Sequence, residues 1–182
     1  MDSLGVVEVV SIASGAELAD GMVKVADVDL LRAAPLCSGR FLIHVSGDRE
    51  AVQTSVRYAR ETQAKLVGSF VISNISPLLI AALKTTEQAR RGEALGIVEC
   101  RNVSAGVNAA DKAVKKSEVR LLKFVSGQGI KGKSFFVLGG DVAAVREAVE
   151  AASEVLADRL VEAVVIPNPA EAMASALTGG VR

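Results

Sequence analysis

The chain repeats itself, and that repetition limits its folds more than any other feature. Residues 5–8 read Gly-Val-Val-Glu and residues 96–99 read Gly-Ile-Val-Glu, 91 positions further on. At the same spacing Gly15 matches Gly106, Asp20 matches Asp111, Lys24 matches Lys115, and Leu30-Leu31 match Leu121-Leu122. A two-residue insertion then shifts the frame. Beyond it Gly39 matches Gly132, Arg40 matches Lys133, Gly47-Asp48 match Gly140-Asp141, and Ala51-Val52 match Ala144-Val145. One more insertion aligns Ile72 with Ile166 and Asn74 with Asn168. Two Ala/Val-rich halves could share apolar residues by chance. Glycine, aspartate and lysine matched in one order mark a duplication.

Each half carries one pattern. Residues 5–12 are apolar and β-branched, which predicts a buried strand. From Ser14 to residue 26, Leu18, Met22 and Val25 recur at helical spacing. Residues 28–35 and 40–46 flank Ser38-Gly39 and read as a hairpin. Asp48 is placed to cap a helix that sets Ala51, Val52, Ser55, Val56 and Ala59 on one face. A strand over 66–72 and a short helix near 77–85 complete the half. The second half runs from a strand at 95–103 to a helix at 170–177. The expected class is α+β, an α/β sandwich of two tandem split βαβ units, βαββαβ plus a short C-terminal helix. The expected domains are 1–86 and 94–182, joined by the polar linker 87–93, Glu-Gln-Ala-Arg-Arg-Gly-Glu. Each half holds only about 85–90 residues, small for a fold standing alone, so pairing of halves and then of chains is expected.

Composition narrows the function. The 182 residues carry 21 Lys+Arg against 21 Asp+Glu, so a basic nucleic-acid face is not expected. That balance suits close association with further copies. Aromatic residues are 3% with no Trp, which leaves no stacking platform for bases. No apolar run reaches membrane-spanning length and no signal segment opens the chain, so a cytoplasmic protein without a membrane partner is expected. Two cysteines do not make a disulfide framework. No Ser/His/Asp set, carboxylate pair or dinucleotide fingerprint is present, and Gly127-Gln128-Gly129 lacks the Lys-Ser/Thr of a phosphate loop. An enzyme is not expected. His44, in mid-strand, reads as a satisfied structural group rather than a base, and Cys100 as core.

The stretches Gly-Val-Val-Glu…Ala-Asp-Gly-Met-Val-Lys-Val-Ala…Ser-Gly-Arg-Phe…Ser-Gly-Asp-Arg-Glu-Ala-Val and Gly-Ile-Val-Glu…Ala-Ala-Asp-Lys-Ala-Val-Lys-Lys…Gly-Gly-Asp-Val-Ala-Ala-Val resemble the bacterial microcompartment shell domain. The likeness covers nearly the whole chain. Two copies in unpermuted order resemble the tandem, trimer-forming shell proteins, those of the propanediol-utilisation type among them. The resemblance implies a homotrimer that forms a pseudohexagonal disk, tiled with other shell proteins in a cytoplasmic microcompartment. It also implies a central pore for small polar metabolites.

The family's edge-lysine position falls on Lys24 and Lys115. Its Pro-Arg-Pro-His segment is replaced by Ser73-Asn74-Ile75-Ser76 and Pro167-Asn168-Pro169-Ala170, so Asn74 and Asn168 stand where an edge arginine would. Asn is uncharged, and a different edge contact is expected. The family's pore segment falls on Cys37, Ser38 and Gly39 and, in the second half, on Gly127, Gln128, Gly129, Ile130 and Lys131. Backbone amides, Ser38 and Lys131 would face a polar or anionic metabolite there.

On a threefold axis three Cys37 thiolates would converge. They would then be candidate metal ligands for a [4Fe–4S] cluster shared by three chains, for which four cysteines are the usual complement. The other reading of Cys37 is an inert pore-side residue. Three function classes therefore stand. The first is a metabolite-passing shell tile without a cofactor, and the second an electron-transfer shell component. The third is a small-molecule sensor, since split βαβ domains also serve that role.

Overall fold

The computed structural model describes residues 3–179. The first repeat runs β1 (Ser3–Val9), α1 (Ile12–Val25), β2 (Asp29–Pro35), β3 (Phe41–Gly47), α2 (Arg49–Glu61), β4 (Leu66–Ser73) and α3 (Pro77–Ala82). The second runs β5 (Ala94–Cys100), α4 (Val103–Lys116), β6 (Arg120–Ser126), β7 (Ser134–Gly140), α5 (Val142–Leu156), β8 (Leu160–Ile166) and α6 (Glu171–Thr178). Two four-stranded sheets result, ordered β2-β3-β1-β4 and β6-β7-β5-β8, with every neighbouring pair antiparallel. This is the split βαβ arrangement expected, made twice.

The irregularities repeat as well. Register shifts fall between Leu30 and Arg32 and between Leu121 and Lys123, then between Glu8 and Val9 and between Glu99 and Cys100. A bulge is a placed feature of a strand, so its recurrence at matched residues is structural evidence of the duplication.

Local chemistry explains where the elements differ from expectation. Helix α1 starts at Ile12 rather than Ser14, because the Ser11 hydroxyl caps it and accepts the Ser14 N–H at 3.4 Å. That early start ends β1 at Val9. Val25 is exposed, and the buried stripe of α1 is Gly15, Leu18, Ala19 and Met22. Asp48 holds the N-cap position of α2 without a side-chain hydrogen bond, whereas its match Asp141 accepts the Ala143 N–H at 2.9 Å.

The chain divides into two compact units. The first takes residues up to Ile75 with Asn102–Ala105 and Gly127–Gly132; the second takes Ser76–Arg101, Gly106–Ser126 and the chain from Lys133 onward. In the first, Val7, Val9, Phe41, Ile43 and Val45 pack under Leu18, Met22, Val52 and Val56. In the second, Leu95, Leu122 and Val137 form a core with Ala174 and Leu177 of α6 against it.

His44 is a polar exception in this interior. It lies in mid β3, 5% exposed, and its Nε2 finds no hydrogen-bond partner among the described residues. It is thus structural but not satisfied. Desolvation, helped by the charge of Arg32, lowers its pKa from 6.5 to about 4. The folded state therefore refuses a proton that the unfolded chain accepts, so stability falls as pH drops from about 6.5 towards 4. The matched residue in the second repeat is Val137. His44→Val should remove about 3 kcal/mol of acid destabilisation. Denaturant titrations of both chains at pH 7 and pH 4 check this. Parallel losses in the two chains would assign the titration elsewhere.

Candidate functional site

The hairpin loops are the natural place to look, since the strands fix their ends. Five residues, 36–40, join β2 to β3, and seven, 127–133, join β6 to β7. The first unit brings Leu36–Arg40 together with Gly127–Gly132. Leu36 is buried and anchors its loop, with Leu36 N–H bound to the Arg40 carbonyl at 2.8 Å.

Gly127 is needed twice over. Its φ is +78°, and a Cβ there would come within 2.8 Å of Leu36 Cδ2 and 3.1 Å of Val103 Cγ2. The chain then turns through Gly129, Lys131 and Gly132, all at positive φ, and a Cβ on Gly132 would run into the Ser38 side chain.

These turns wrap Cys37. Its Sγ–H donates to the Gly127 carbonyl at 2.6 Å. Some desolvation pushes the thiol up. The backbone N–H groups of Gly132, Ile130, Gly129 and Lys131 outweigh this and hold it below the usual thiol value. Backbone N–H groups near a thiol favour its anionic form. Cys37, Ser38, Gly39, Gln128, Gly129 and Lys131 are exposed, while Gly127 and Gly132 are buried. Cys100 is the opposite case: it is fully buried, its pKa pushed up to about 12 by desolvation.

The matched lysines meet different surroundings. Lys24 Nζ lies 2.5 Å from Asp20, and both side chains are largely exposed. Lys115 pairs with Asp111, which is buried and also accepts the Ser76 N–H at 2.8 Å. Asn74 and Asn168 are both exposed. Asn74 has a φ of +50°, a left-handed conformation that Asn adopts more readily than Arg. That gives a local reason for Asn at the end of β4.

Sequence reasoning missed Glu8. It is fully buried at the end of β1. Its Oε1 meets Arg40 Nη1 at 3.1 Å and its Oε2 accepts the Ser104 N–H at 2.9 Å. The signal was available: a Glu ends both matched apolar runs, and Arg40 and Lys133 are matched cations. Glu99 accordingly pairs with Lys133 at 2.8 Å.

Among the described residues no three of His, Cys, Asp and Glu gather as a metal site. No described helix is long and apolar enough to cross a membrane.

The comparisons with known proteins agree with the duplicated fold. The BMC domain model matches twice, over residues 3–75 and 94–169. The bacterial microcompartment shell protein PduT of Citrobacter freundii is 39% identical over 174 residues, covering 94% of this chain and 95% of its own. The carboxysome shell protein CsoS1 of Prochlorococcus marinus is 37% identical over 94 residues, 49% of this chain but 87% of its own. That match is the size of one repeat. Among solved structures, a microcompartment protein from Desulfitobacterium hafniense aligns with a TM-score of 0.80 and 39% identity, covering 95% of this chain and 98% of that one. A fused permuted hexameric shell protein of the RMM microcompartment shares the fold, with a TM-score of 0.64, 22% identity and coverage of 85% and 81%.

The two cysteines should separate cleanly by reactivity. Native protein at pH 7 is expected to take one equivalent of maleimide, at Cys37, and a second only in denaturant, at Cys100. Mass spectrometry of labelled peptides reads this; native labelling of Cys100 would contradict its burial.

Proposed function

The chain belongs to the BMC-domain family of bacterial microcompartment shell proteins, and from that premise we propose that three copies close into one pseudohexagonal tile of such a shell. The observation that carries this is the paired domain match on two sheets of identical strand order. Three two-repeat chains supply six similar domains, and closed cyclic symmetry is the usual outcome for soluble oligomers. The tile stands beside other shell proteins around a cytoplasmic compartment. Its role is structural rather than catalytic.

The loops at 36–40 and 127–132 converge on the threefold axis in this reading. Ser38, Gln128 and Lys131 then offer a hydroxyl, an amide and an ammonium to small polar metabolites in transit, anions above all. The disk edge is assigned to Lys24 and Lys115, with Asn74 and Asn168 near it. Lys24 supports that assignment most directly, because its side chain is 72% exposed.

Sedimentation at micromolar concentration should give three times the 18.9 kDa chain mass. A monomer would remove the tile reading. The exposed Lys24–Asp20 pair contributes at most about 1 kcal/mol. Lys24→Ala should therefore keep the trimer while losing the sheets seen by electron microscopy. Normal sheets from this variant would take the edge role from Lys24.

A second reading rests on Cys37. It is exposed, and backbone N–H groups of the second loop favour its thiolate, the form in which cysteine ligates metal. Three such residues, one per chain, fit a [4Fe–4S] cluster with one iron lacking a cysteine. The cluster would supply one-electron transfer; the chain's part is to set three thiolates and their amide donors around the axis. Anaerobic purification should then yield about four iron and four sulfide per trimer, both lost in Cys37→Ser. Iron-free protein after anaerobic reconstitution would leave Cys37 as a pore residue alone. The sensor class gains nothing from the comparisons, whose near full-length matches are to microcompartment proteins.

A further inference from the structure

Matched positions in the two repeats differ in one consistent way. In the first unit, the Glu8 carboxylate holds a cation and also the Ser104 N–H at the start of α4. Its match, Glu99, holds the cation Lys133, but among the described residues no backbone amide reaches it. In the second unit, Asp111 holds Lys115 and the Ser76 N–H ahead of α3. Its match, Asp20, holds Lys24 and, among the described residues, no amide. The residues matched to the two donors are Ala13, exposed at the start of α1, and Ala170, exposed ahead of α6.

The apolar partners follow the same division. Leu79 of α3 is fully buried, whereas its match Met173 of α6 is 47% exposed. Leu121 of β6 is 4% exposed beside Ala81 and Ala82 of α3, whereas its match Leu30 of β2 is 46% exposed. Val103 at the start of α4 is fully buried and its match Ile12 is exposed.

We infer that these bare groups are the two halves of one joint, made between successive copies of the chain. Glu99 of one copy accepts the Ala13 N–H of the next, and Asp20 of that next copy accepts the Ala170 N–H of the first. Helix α6 packs on Leu30 as α3 packs on Leu121, burying Met173, and Ile12 is buried as Val103 is. The joint repeats between chains what Glu8–Ser104 and Asp111–Ser76 do within one.

Three features support it. The bonds use main-chain N–H groups, so Ala serves in place of Ser. Each carboxylate already holds its cation and needs one more donor for a charge-assisted bond. Size is also exchanged across the joint: within the chain Gly68 leaves room for Ser104, whose hydroxyl lies where a Gly68 Cβ would point. At the matched pair the small residue is Ala13 and the large one Glu162, which faces Glu99 in register. The two surfaces are different, so the contact is head-to-tail, the kind that makes rings. This inference rests on the trimer reading above and specifies its bonds.

Two measurements test it. Glu99→Ala should raise the monomer–trimer dissociation constant about tenfold or more, as loss of a charge-assisted bond predicts, while Glu154→Ala, an exposed acid on α5 outside the joint, does not weaken the trimer. The Glu99 side chain is 36% exposed, so the variant is expected to fold, and circular dichroism checks that. Equal weakening by both variants, or by neither, overturns the joint.

In a Cys37→Ser background, Asp20→Cys with Ala170→Cys should be tied by a short bismaleimide into covalent species that stop at three chains. Each single variant should remain uncrosslinked. Self-linking of a single variant would mean a face-to-face contact and overturn the head-to-tail joint. A double variant that sediments as a trimer yet stays uncrosslinked would overturn the joint but keep the trimer; an unmutated chain that sediments as a monomer would overturn both.

Discussion

A carboxylate with no exposure inside an apolar sheet is a liability, because removing its charge from water costs several kcal/mol unless the charge is met. Glu8 is in that position, and two groups meet it: the Arg40 guanidinium on one oxygen and the Ser104 N–H on the other. Arg40 closes the loop that carries Cys37. Ser104 lies at the start of α4, and Val103 beside it packs where Gly127 must lack a side chain. One buried anion thus fixes the loop bearing the thiol and stands next to the packing that seats the second loop. Removing its charge would leave Arg40 and a helix-start amide unpaired, and breaking such a pair costs more than the pair itself contributes.

Much of the fold was readable because its signals are local. β-Branched runs, helical spacing over 14 or so residues and the Ser-Gly hairpin act within a few residues of themselves, and they returned the element order twice over. The misplacements came from competition between adjacent signals. Ser11 and Ser14 are both capping residues, and only three-dimensional context let Ser11 start α1 and cut β1 short at Val9. Val25 continues the apolar spacing of α1 but lies where the helix leaves its sheet, so periodicity alone counted it as core. The membership of 102–105 and 127–132 in the first unit is a long-range fact. Nothing in Asn-Val-Ser-Ala or in a glycine-rich turn announces which sheet it will pack on.

The candidate site was legible as residue types and opaque as electrostatics. Cys37 stands out as a lone thiol beside Ser-Gly, and a lone thiol in a loop is chemically unremarkable until its neighbours are known. The neighbours are backbone N–H groups from residues 129–132, which carry no side-chain signature. The sequence shows only that glycines are dense there. The positive φ angles at Gly127, Gly129, Lys131 and Gly132 explain that density as the geometry by which the second loop turns. Asn74 is the converse. Read against the family pattern it is a missing arginine; read against its own φ of +50° it is a residue suited to the turn it makes.

The duplication has let the two repeats diverge where a single-repeat ring could not. In a ring of six identical domains every buried carboxylate, loop and helix start must satisfy the same contact six times. In a chain of two repeats, contacts made between the repeats are intramolecular and form at high effective concentration. The pairs Glu8–Arg40 and Asp111–Lys115 and the side chain of Leu79 are more buried than their matches. The matched set keeps lysine for arginine at 133 and leaves Asp20, Glu99 and Met173 open to solvent in the single chain. Arginine suits a fixed, partly buried, directional pairing, whereas lysine tolerates a partner that comes and goes. The loops follow the same logic. The short one carries a thiol and the long one, two residues longer, carries the amides that surround it. A ring of identical domains would have to place thiol and amides in the same loop; a tandem chain can assign one to each repeat and let folding bring them together.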